Sequence, residues 1–313
     1  MTKPSSIPLS ALELSAAMRA ALPYDARRLD RVLRIDERHG LVEVQAATPW
    51  QALAAALRPG DARSASASVQ TTLPTVGESL AHNAAGPDGR PAVTHVESIT
   101  LVTPGGELRR ASRTENRELF ALAAGGHDLF GALYSVTLNI GSLQRAVNEA
   151  AAGEVIDAPP AGTPSRPLRL LVPPDKVDPF LLEARRRCAE WRLPLAGIEV
   201  RRTAPEDDSF LRWARREYAA LTLRLARPAV LGVAVRSTQL RQSLIDAAIG
   251  HGGSFAVSCT PEATRAQVES CYPQLRAFLA EKRRIDPAER LTNFWYQHYR
   301  KLFSPACEVR WAR

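Results

Sequence analysis

The chain has 313 residues, 45% hydrophobic and 24% charged, which is typical of a globular protein with a substantial buried core. Its net charge of +8 raises the question of a nucleic-acid partner, but almost all the basic residues are arginines scattered through alanine-rich segments, without a basic-aromatic motif. We therefore expect no nucleic-acid partner. No apolar run reaches membrane-spanning length, so we also expect no membrane association and a cytoplasmic location.

The first predicted elements are a helix, strands and a second helix. Residues 10–22 have the pattern of a short amphipathic helix, and Glu13 and Arg19 interrupt its apolar residues, which is unlike a signal peptide. Residues 24–36 predict a strand or strand pair that ends in a turn at 36–40. A strand over 41–46 and a helix over 49–57 follow, the latter with Pro49 at its start.

The stretch from 71 to 140 carries the most information. A turn-and-glycine segment from Thr75 to Gly86 would let backbone N–H groups approach a ligand closely. An alternating strand over 95–102, a Pro-Gly-Gly turn and a strand over 107–112 come next. A helix capped by Thr114 would end at Gly125 and Gly126, and a buried strand over 131–140 closes the stretch.

Several residues in this stretch follow the pattern of a known family. The motifs T-x-G-G…N…G, L-V-x-x-x-G-E, E-N-x-x-L-F and G-G…F-G correspond here to Thr75-Val76-Gly77-Glu78, Asn83, Gly86, Leu101-Val102, Gly106-Glu107, Glu115-Asn116, Leu119-Phe120, Gly125-Gly126 and Phe130-Gly131. Their order resembles the second half of the PCMH-type FAD-binding domain in the vanillyl-alcohol oxidase family of FAD-linked oxidases. The resemblance implies FAD as cofactor. It implies these cofactor-binding residues: Thr75, Val76, Gly77, His82, Asn83, Gly86, Gly125, Gly126 and Gly131.

Two departures from the family pattern bear on FAD. Glu78 replaces the second glycine of the first motif and puts a carboxylate where the backbone usually approaches the pyrophosphate. Family members carry a glycine-rich phosphate loop further upstream, whereas residues 1–25 contain no glycine. We therefore expect a truncated FAD-binding domain that binds FAD weakly or not at all by itself, with a possible protein partner completing the site. The alternative for Asn83 and His82 is an ordinary loop whose side chains bond their own backbone.

The middle of the chain predicts a second domain of strands and helices. After a linker over 141–167, the expected strands are 168–172, 195–202, 218–225, 230–236 and 254–258, and the expected helices are 178–191, 209–216 and 237–248. Glu199 and Arg201 lie two residues apart, so their side chains share one face of a strand. In alditol-oxidase-like relatives an E-x-R pair binds substrate hydroxyls, and the resemblance implies a catalytic role for both residues. The alternative is a plain surface ion pair.

The C-terminal motif K-R-R-x-D-P-x-x-R-L-x-N, residues 282–293, resembles the segment that returns to the flavin domain in alditol and aldonolactone oxidases. The sequence thus predicts an α+β fold with three parts: an FAD-binding-type domain over 1–145, a cap domain with an antiparallel sheet and flanking helices over 146–270, and a returning segment over 271–313. The implied function is an FAD-linked oxidoreductase acting on an alcohol-type small substrate. The alternative is a flavin-free descendant acting as a non-redox enzyme, binding protein or assembly subunit. No metal site is expected, because the four cysteines show no C-x-x-C spacing.

Overall fold

The computed structural model describes residues 6–57, 73–86, 88–148, 154–157, 165–193, 195–226 and 231–304. The chain divides into two compact units. Unit 1 comprises Met1–Ala150, Glu206–Arg212 and Arg276–Gln297, and unit 2 comprises Ala151–Pro205, Trp213–Leu275 and His298–Arg313. The domain boundaries expected from the sequence stay a prediction about which parts fold independently.

Unit 1 is built on a five-stranded antiparallel sheet. Its strands are β1 (Val32–Asp36), β2 (Leu41–Gln45), β3 (Val96–Val102), β4 (Leu108–Ser112) and β5 (Ala132–Asn139). They lie in the order β1-β2-β5-β3-β4. Val44, Val136 and Ile99 are direct neighbours across three strands and are almost completely buried. Burial of side chains of this size contributes roughly 1.5–3 kcal/mol each, so this line of contacts anchors the sheet.

Ten α-helices lie in the described part of the chain. They are α1 (Ala11–Arg19), α2 (Trp50–Leu57), α3 (Val76–Ala81), α4 (Arg117–Ala123), α5 (Ile140–Asn148), α6 (Val177–Glu190), α7 (Leu231–Gly250), α8 (Arg265–Cys271), α9 (Leu275–Ile285) and α10 (Phe294–Leu302). In unit 1, helices α2, α3 and α4 bury Leu53, Leu80 and Phe120 in one core cluster with the sheet. Helix α1 packs Leu14 and Met18 into a second cluster.

Unit 2 contains the second antiparallel sheet. Its strands are β6 (Glu154–Asp157), β7 (Ser165–Val172), β8 (Leu195–Thr203), β9 (Tyr218–Ala226) and β10 (Ser254–Phe255), in the order β10-β7-β9-β8-β6. Helices α6 and α7 pack against each other, and α7 also packs against β7. The predicted α+β class, with antiparallel sheets and flanking helices, is confirmed. Among the described residues, the structure contains no helix with both the length and the apolarity needed to span a bilayer.

Two elements of the middle region were predicted wrongly. The run 230–236 was expected to be an apolar strand, but its described residues, 231–236, begin helix α7, and Val235 is 57% exposed. Short apolar runs do not distinguish strands from helices, and the helix predicted next in the chain extends back through this one. Residues 209–216 were expected to be a helix and form turns instead. There the Glu206 carboxylate accepts the N–H groups of Asp208 and Ser209, which competes with helix formation.

Three smaller predictions also need correction. Thr114 does not cap α4; Asn116 precedes the first helical residue instead, with a φ of 47°. The region 141–167 is not only a linker, because it contains most of α5, all of β6 and the start of β7. The strand expected over 254–258 is limited to Ser254–Phe255.

Candidate functional site

The turn-and-glycine segment begins as a short capped helix. The Thr75 hydroxyl accepts the N–H of Glu78 at 3.2 Å and so caps α3. The N–H of Gly77 donates to the backbone carbonyl of Ala46 at 2.8 Å, and the N–H of Val76 also bonds a backbone carbonyl. A Cβ at Gly77 would lie 2.6 Å from the Ala46 carbonyl oxygen. This glycine is therefore required by close backbone packing within the protein.

Three of the other glycines predicted to bind the cofactor also donate to the protein's own carbonyls. The N–H of Gly86 bonds Arg90, that of Gly125 bonds Leu80 and that of Gly126 bonds Ala123, at 2.7–3.1 Å. A Cβ at Gly131 would lie 2.8 Å from the backbone oxygen of Val102. These glycines let the loops meet closely, and the three N–H groups are already used.

Asn83 is the buried centre of this loop. It is 1% exposed and has a φ of 44°, a left-handed conformation that Asn tolerates better than most residues. Its side-chain oxygen accepts the N–H of Val93 at 3.0 Å, and its side-chain nitrogen donates to Glu206 at 3.2 Å. Asn83 thus ties its loop to a segment more than a hundred residues later. The sequence did not predict this use of the side chain.

That segment, Glu206–Arg212, is called the strap below, and it belongs to unit 1. Glu206 is 5% exposed, and its carboxylate accepts from Asn83, the Ser209 hydroxyl and two backbone N–H groups. Arg113 forms a salt bridge with Asp208 at 2.7 Å and also donates to two backbone carbonyls. The strap is therefore held by charge-assisted hydrogen bonds at both Glu206 and Asp208.

A stack of rings lies where the two predicted cofactor loops meet. The His127 ring stacks on Trp295 with a centroid distance of 4.3 Å, and His82 contacts its edge at 4.9 Å. His127 is 6% exposed, and burial together with the nearby His82 lowers its pKa to about 3, so it is neutral at physiological pH. The backbone of His127 is fixed at both ends, because its N–H donates to Ala81 and its carbonyl accepts from Asn293.

His82 has a defined tautomer. Its Nδ1 lies 3.0 Å from the carbonyl oxygen of Glu78. A carbonyl oxygen can only accept, so Nδ1 of His82 carries a proton and donates it to this carbonyl. The side chain is half-buried.

Asp128 follows His127 and completes this group of side chains. It is exposed, yet the surrounding protein desolvates its carboxyl and raises its pKa to about 6; His82 opposes this shift and Glu78 adds to it. Burial, together with the nearby charge of Asp128, raises the pKa of Tyr24 to about 12.

The C-terminal returning segment contributes a buried ion pair to unit 1. Lys282 and Asp286 form a salt bridge with side chains 0% and 1% exposed. The Lys282 ammonium lies 5.8 Å from the centre of the Tyr296 ring. Asp286 also accepts the backbone N–H groups of Arg290 and Leu291. These contacts make Lys282 a structural residue of unit 1.

The predicted catalytic pair lies in unit 2. Glu199 and Arg201 are both on β8, and the Arg201 Nε donates to the Glu199 carboxylate at 2.6 Å. Their side chains are 24% and 39% exposed, so both keep access to solvent. The pair has the shared face that the two-residue spacing predicts. Its catalytic role stays a prediction.

Unit 2 also has a groove of about 500 Å³ beside the end of α6. Its polar lining includes Asp157 and Arg185, which pair with each other at 3.0 Å, and Arg192. Cys188 lines it too, but burial raises the pKa of this thiol to about 11, so it is not a nucleophile at neutral pH. Nothing in this lining points to catalysis.

The sequence did not single out three residues that matter here. Asp128 and Trp295 became relevant only through contacts between distant segments, and no local pattern marks them. Glu206 does carry a signal, because it opens the acidic run Glu-Asp-Asp-Ser, which is typical of side chains that bond nearby backbone N–H groups. In the described part of the chain, no three acidic, His or Cys side chains are grouped as a metal site.

Comparisons with known proteins agree with the fold. Residues 10–112 match the family described as FAD binding domain. Physcomitrella patens BBE-like 1 has a similar structure, with a TM-score of 0.66 and 10% identity over 92% of this chain and 89% of that one. A chitooligosaccharide oxidase gives 0.63 and 12%, over 93% and 92%. A xylooligosaccharide oxidase from Myceliophthora thermophila C1, in complex with xylobiose, gives 0.60 and 15%, over 92% and 91%. No curated protein matches the sequence.

The chain therefore has the fold of FAD-linked oxidases, as the motifs predicted. The loop predicted to approach the FAD pyrophosphate does not fit that group as it is placed. The backbone N–H groups of Val76, Gly77, Gly86 and Gly125 all bond backbone carbonyls, and the side chain of Asn83 bonds Val93 and Glu206. A buried diphosphate needs several convergent donors, and these are committed elsewhere.

Proposed function

We propose that this chain is an FAD-linked oxidoreductase that oxidises a small alcohol-type substrate. The observation that carries the proposal is the match of residues 10–112 to the FAD binding domain, on a fold shared with two oligosaccharide oxidases. Those proteins are named for sugar oligomers, and a hydroxylated substrate is the natural candidate for this chain as well.

Within the proposal, Glu199 and Arg201 bind the substrate. A carboxylate beside a guanidinium offers acceptors and donors to adjacent hydroxyl groups, and the carboxylate can take up a hydroxyl proton. Both side chains are partly solvent-accessible, as substrate contacts require before binding. Their mutual hydrogen bond at 2.6 Å holds the pair in one geometry.

A second function has its own support. The backbone N–H groups around Thr75–Gly86 are used within the protein, which favours a flavin-free descendant acting as a non-redox enzyme, a binding protein or an assembly subunit. A third arrangement keeps FAD but needs a partner chain to supply phosphate donors. The three alternatives differ in how tightly the purified chain binds FAD.

The test is to measure flavin absorbance of the purified protein and then titrate the flavin-stripped chain with FAD. Tight binding, with Kd below about 1 μM and thus on the order of −8 kcal/mol, followed by flavin reduction on adding a polyol, supports the oxidoreductase. A colourless protein that does not bind FAD at any concentration in the titration contradicts the proposal. Weak binding that becomes tight with a co-purifying protein identifies the partner-dependent form.

The role of the unit 2 pair has a separate test. Replacing Arg201 by Ala should weaken binding of the polyol substrate about tenfold or more, while the melting temperature changes little because the side chain is 39% exposed. Replacing the more exposed Arg202, at 81%, is the matched control and should change neither. Equal loss of stability and binding would identify the pair as structural.

A further inference from the structure

The groove beside the end of α6 lies wholly within unit 2 and is large enough for a small molecule, with a volume of about 500 Å³. Its apolar lining comes from Cys188 and Ala189 at the end of α6, Leu193 just after that helix and Leu195 at the start of β8. The Cys188 thiol stays neutral, because burial raises its pKa to about 11, and it packs as a small apolar group. The groove can therefore hold the apolar body of a ligand.

The charged side chains of the groove leave one positive charge without a counterion. Asp157 and Arg185 form a salt bridge at 3.0 Å and balance each other. Arg192 is exposed, and among the described residues no carboxylate pairs with its guanidinium. A guanidinium binds a carboxylate through two parallel hydrogen bonds. One carboxylate would thus neutralise the groove, whereas a phosphate dianion would leave it with an excess negative charge.

Arg192 occupies a backbone position that usually belongs to glycine. It follows Trp191, the C-cap residue of α6, and has a left-handed φ of 53°. Its N–H donates to the carbonyl of Ala189. The N–H of Leu193 donates to the carbonyl of Cys188, which completes a Schellman motif. Glycine adopts this conformation freely and other residues adopt it with strain, so the backbone does not explain an arginine here. The place of its side chain in the groove does.

We propose that this groove binds a small molecule that carries one carboxylate on an apolar body. Arg192 pairs with the carboxylate, and the apolar lining of the groove packs against the rest of the ligand. The proposal goes beyond the proposed function and does not depend on it, because the groove includes neither the Glu199–Arg201 pair nor any residue of the FAD-binding motifs. Loss of flavin binding or of alcohol oxidation would leave it intact.

The experiment measures Kd by calorimetry for three probes. Hexanoate has both the carboxylate and an apolar chain, 1-hexanol has the chain alone, and acetate has the carboxylate alone. Wild type should bind hexanoate about tenfold or more tightly than either of the other two, because only hexanoate makes both kinds of contact. Hexanoate that does not bind at millimolar concentration would overturn the proposal, and so would 1-hexanol that binds as tightly as hexanoate.

Arg192→Gly removes the guanidinium and relieves the backbone at the same time. Since glycine suits the φ of 53°, the variant should melt no lower than wild type, while its affinity for hexanoate should fall about tenfold, to that for 1-hexanol. Ala21→Gly is the matched backbone control. Ala21 holds the same position after α1, with a φ of 50° and the same two backbone bonds. This control should also melt no lower, and it should bind hexanoate as wild type does.

Two further variants separate local charge from overall charge. Ala189→Glu adds a carboxylate to the groove at an exposed position of α6, so it should weaken hexanoate binding about fivefold and change 1-hexanol binding less than about twofold. Arg202→Gln removes one positive charge outside the groove, at a side chain 81% exposed, and should leave both affinities unchanged. If Arg202→Gln weakens hexanoate binding as much as Arg192→Gly, the effect is one of overall charge and the proposal is wrong. An unchanged hexanoate affinity in Ala189→Glu would also contradict it.

Discussion

The buried imidazole of His127 makes the stability of unit 1 depend on pH. Its pKa falls from 6.5 to about 3 in the folded chain, mainly because burial disfavours the charged ring. In the unfolded chain the same ring takes up a proton near 6.5. Between these values the unfolded state binds more protons, so the free energy of unfolding should fall as the pH drops from 6.5 towards 3.

Asp128 acts in the opposite direction and must be separated from this effect. Its pKa rises from 3.8 to about 6, so the folded state binds more protons in that window. The measurement is therefore a difference: urea unfolding of wild type and His127→Gln across the pH range, together with an NMR titration of the histidine rings. The variant should lose part of the destabilisation at low pH. A His127 resonance that titrates near its ordinary pKa would contradict the burial argument.

The Lys282–Asp286 pair is a second place where one replacement has a defined consequence. Replacing Lys282 by Met leaves the buried Asp286 carboxylate without its cation, and such losses typically cost about 3–5 kcal/mol. The pKa of Lys282 is lowered by burial, and the hydrogen bond to Asp286 opposes this shift, so the pair holds its charges against desolvation. Urea denaturation measures the cost. Lys301→Met, at an exposed position of α10, is the control and should cost less than about 1 kcal/mol.

At the scale of elements, the conformation of the strap depends on the Glu206 carboxylate. Its carboxylate accepts from two backbone N–H groups, the Ser209 hydroxyl and Asn83. The substitution Glu206→Gln puts an amide NH₂ in place of one acceptor oxygen, so it should leave buried donors unsatisfied and lower the free energy of unfolding by about 1–3 kcal/mol. Chemical denaturation tests this. Asp207→Asn, whose side chain is 90% exposed, should be nearly neutral. A neutral Glu206→Gln would mean that the strap does not depend on this residue.

The elements differ in how well the sequence predicts them, and the reason is the range of the interactions. The β3–β4 hairpin follows from local alternation and a Pro-Gly-Gly turn, and the structure confirms it at Val96–Val102 and Leu108–Ser112. The strand predicted over 230–236 was wrong because a short apolar segment suits a strand or a helix equally. The helix predicted over 209–216 was wrong because the conformation of the strap depends on the buried Glu206 and on Asn83, which is 123 residues away from it.

Prediction of the candidate site is also limited by contacts between residues that are distant in the sequence. The motif residues Thr75, Gly77 and Gly86 do mark a tightly packed loop, as the family pattern indicates. The N–H groups of Gly77 and Gly86 point into the protein, however, and only the structure reveals which carbonyls they bond. Asp128 and Trp295 could not be foreseen, because they meet the loop through tertiary packing and not through any spacing in the sequence.

At the scale of the whole molecule, the two units share one interleaved chain. Unit 1 takes residues from three separate stretches, Met1–Ala150, Glu206–Arg212 and Arg276–Gln297. The later stretches fill places that the first cannot fill by itself: Phe278 lies 5.0 Å from Phe130 between ring centres, and Trp295 stacks on His127. A fragment ending at residue 150 should therefore lack a cooperative urea transition and near-ultraviolet circular dichroism, since its apolar and ring contacts are left open.

Complementation tests whether the 1–150 fragment fails to fold because it lacks the contacts of the later stretches, or because the fragment is misfolded for another reason. Co-expressing residues 1–150 with residues 151–313 returns the strap and the 276–297 segment without restoring the covalent link. The pair should co-purify and unfold cooperatively, at a lower denaturant midpoint than the intact chain because two chains must associate. Adding Glu206→Gln to the second fragment should weaken this association, since the Asn83 contact then loses its carboxylate. A 1–150 fragment that unfolds cooperatively by itself, at the denaturant midpoint of the intact chain, would contradict this prediction. It would show that the first stretch folds alone and that the later stretches add no stability to it.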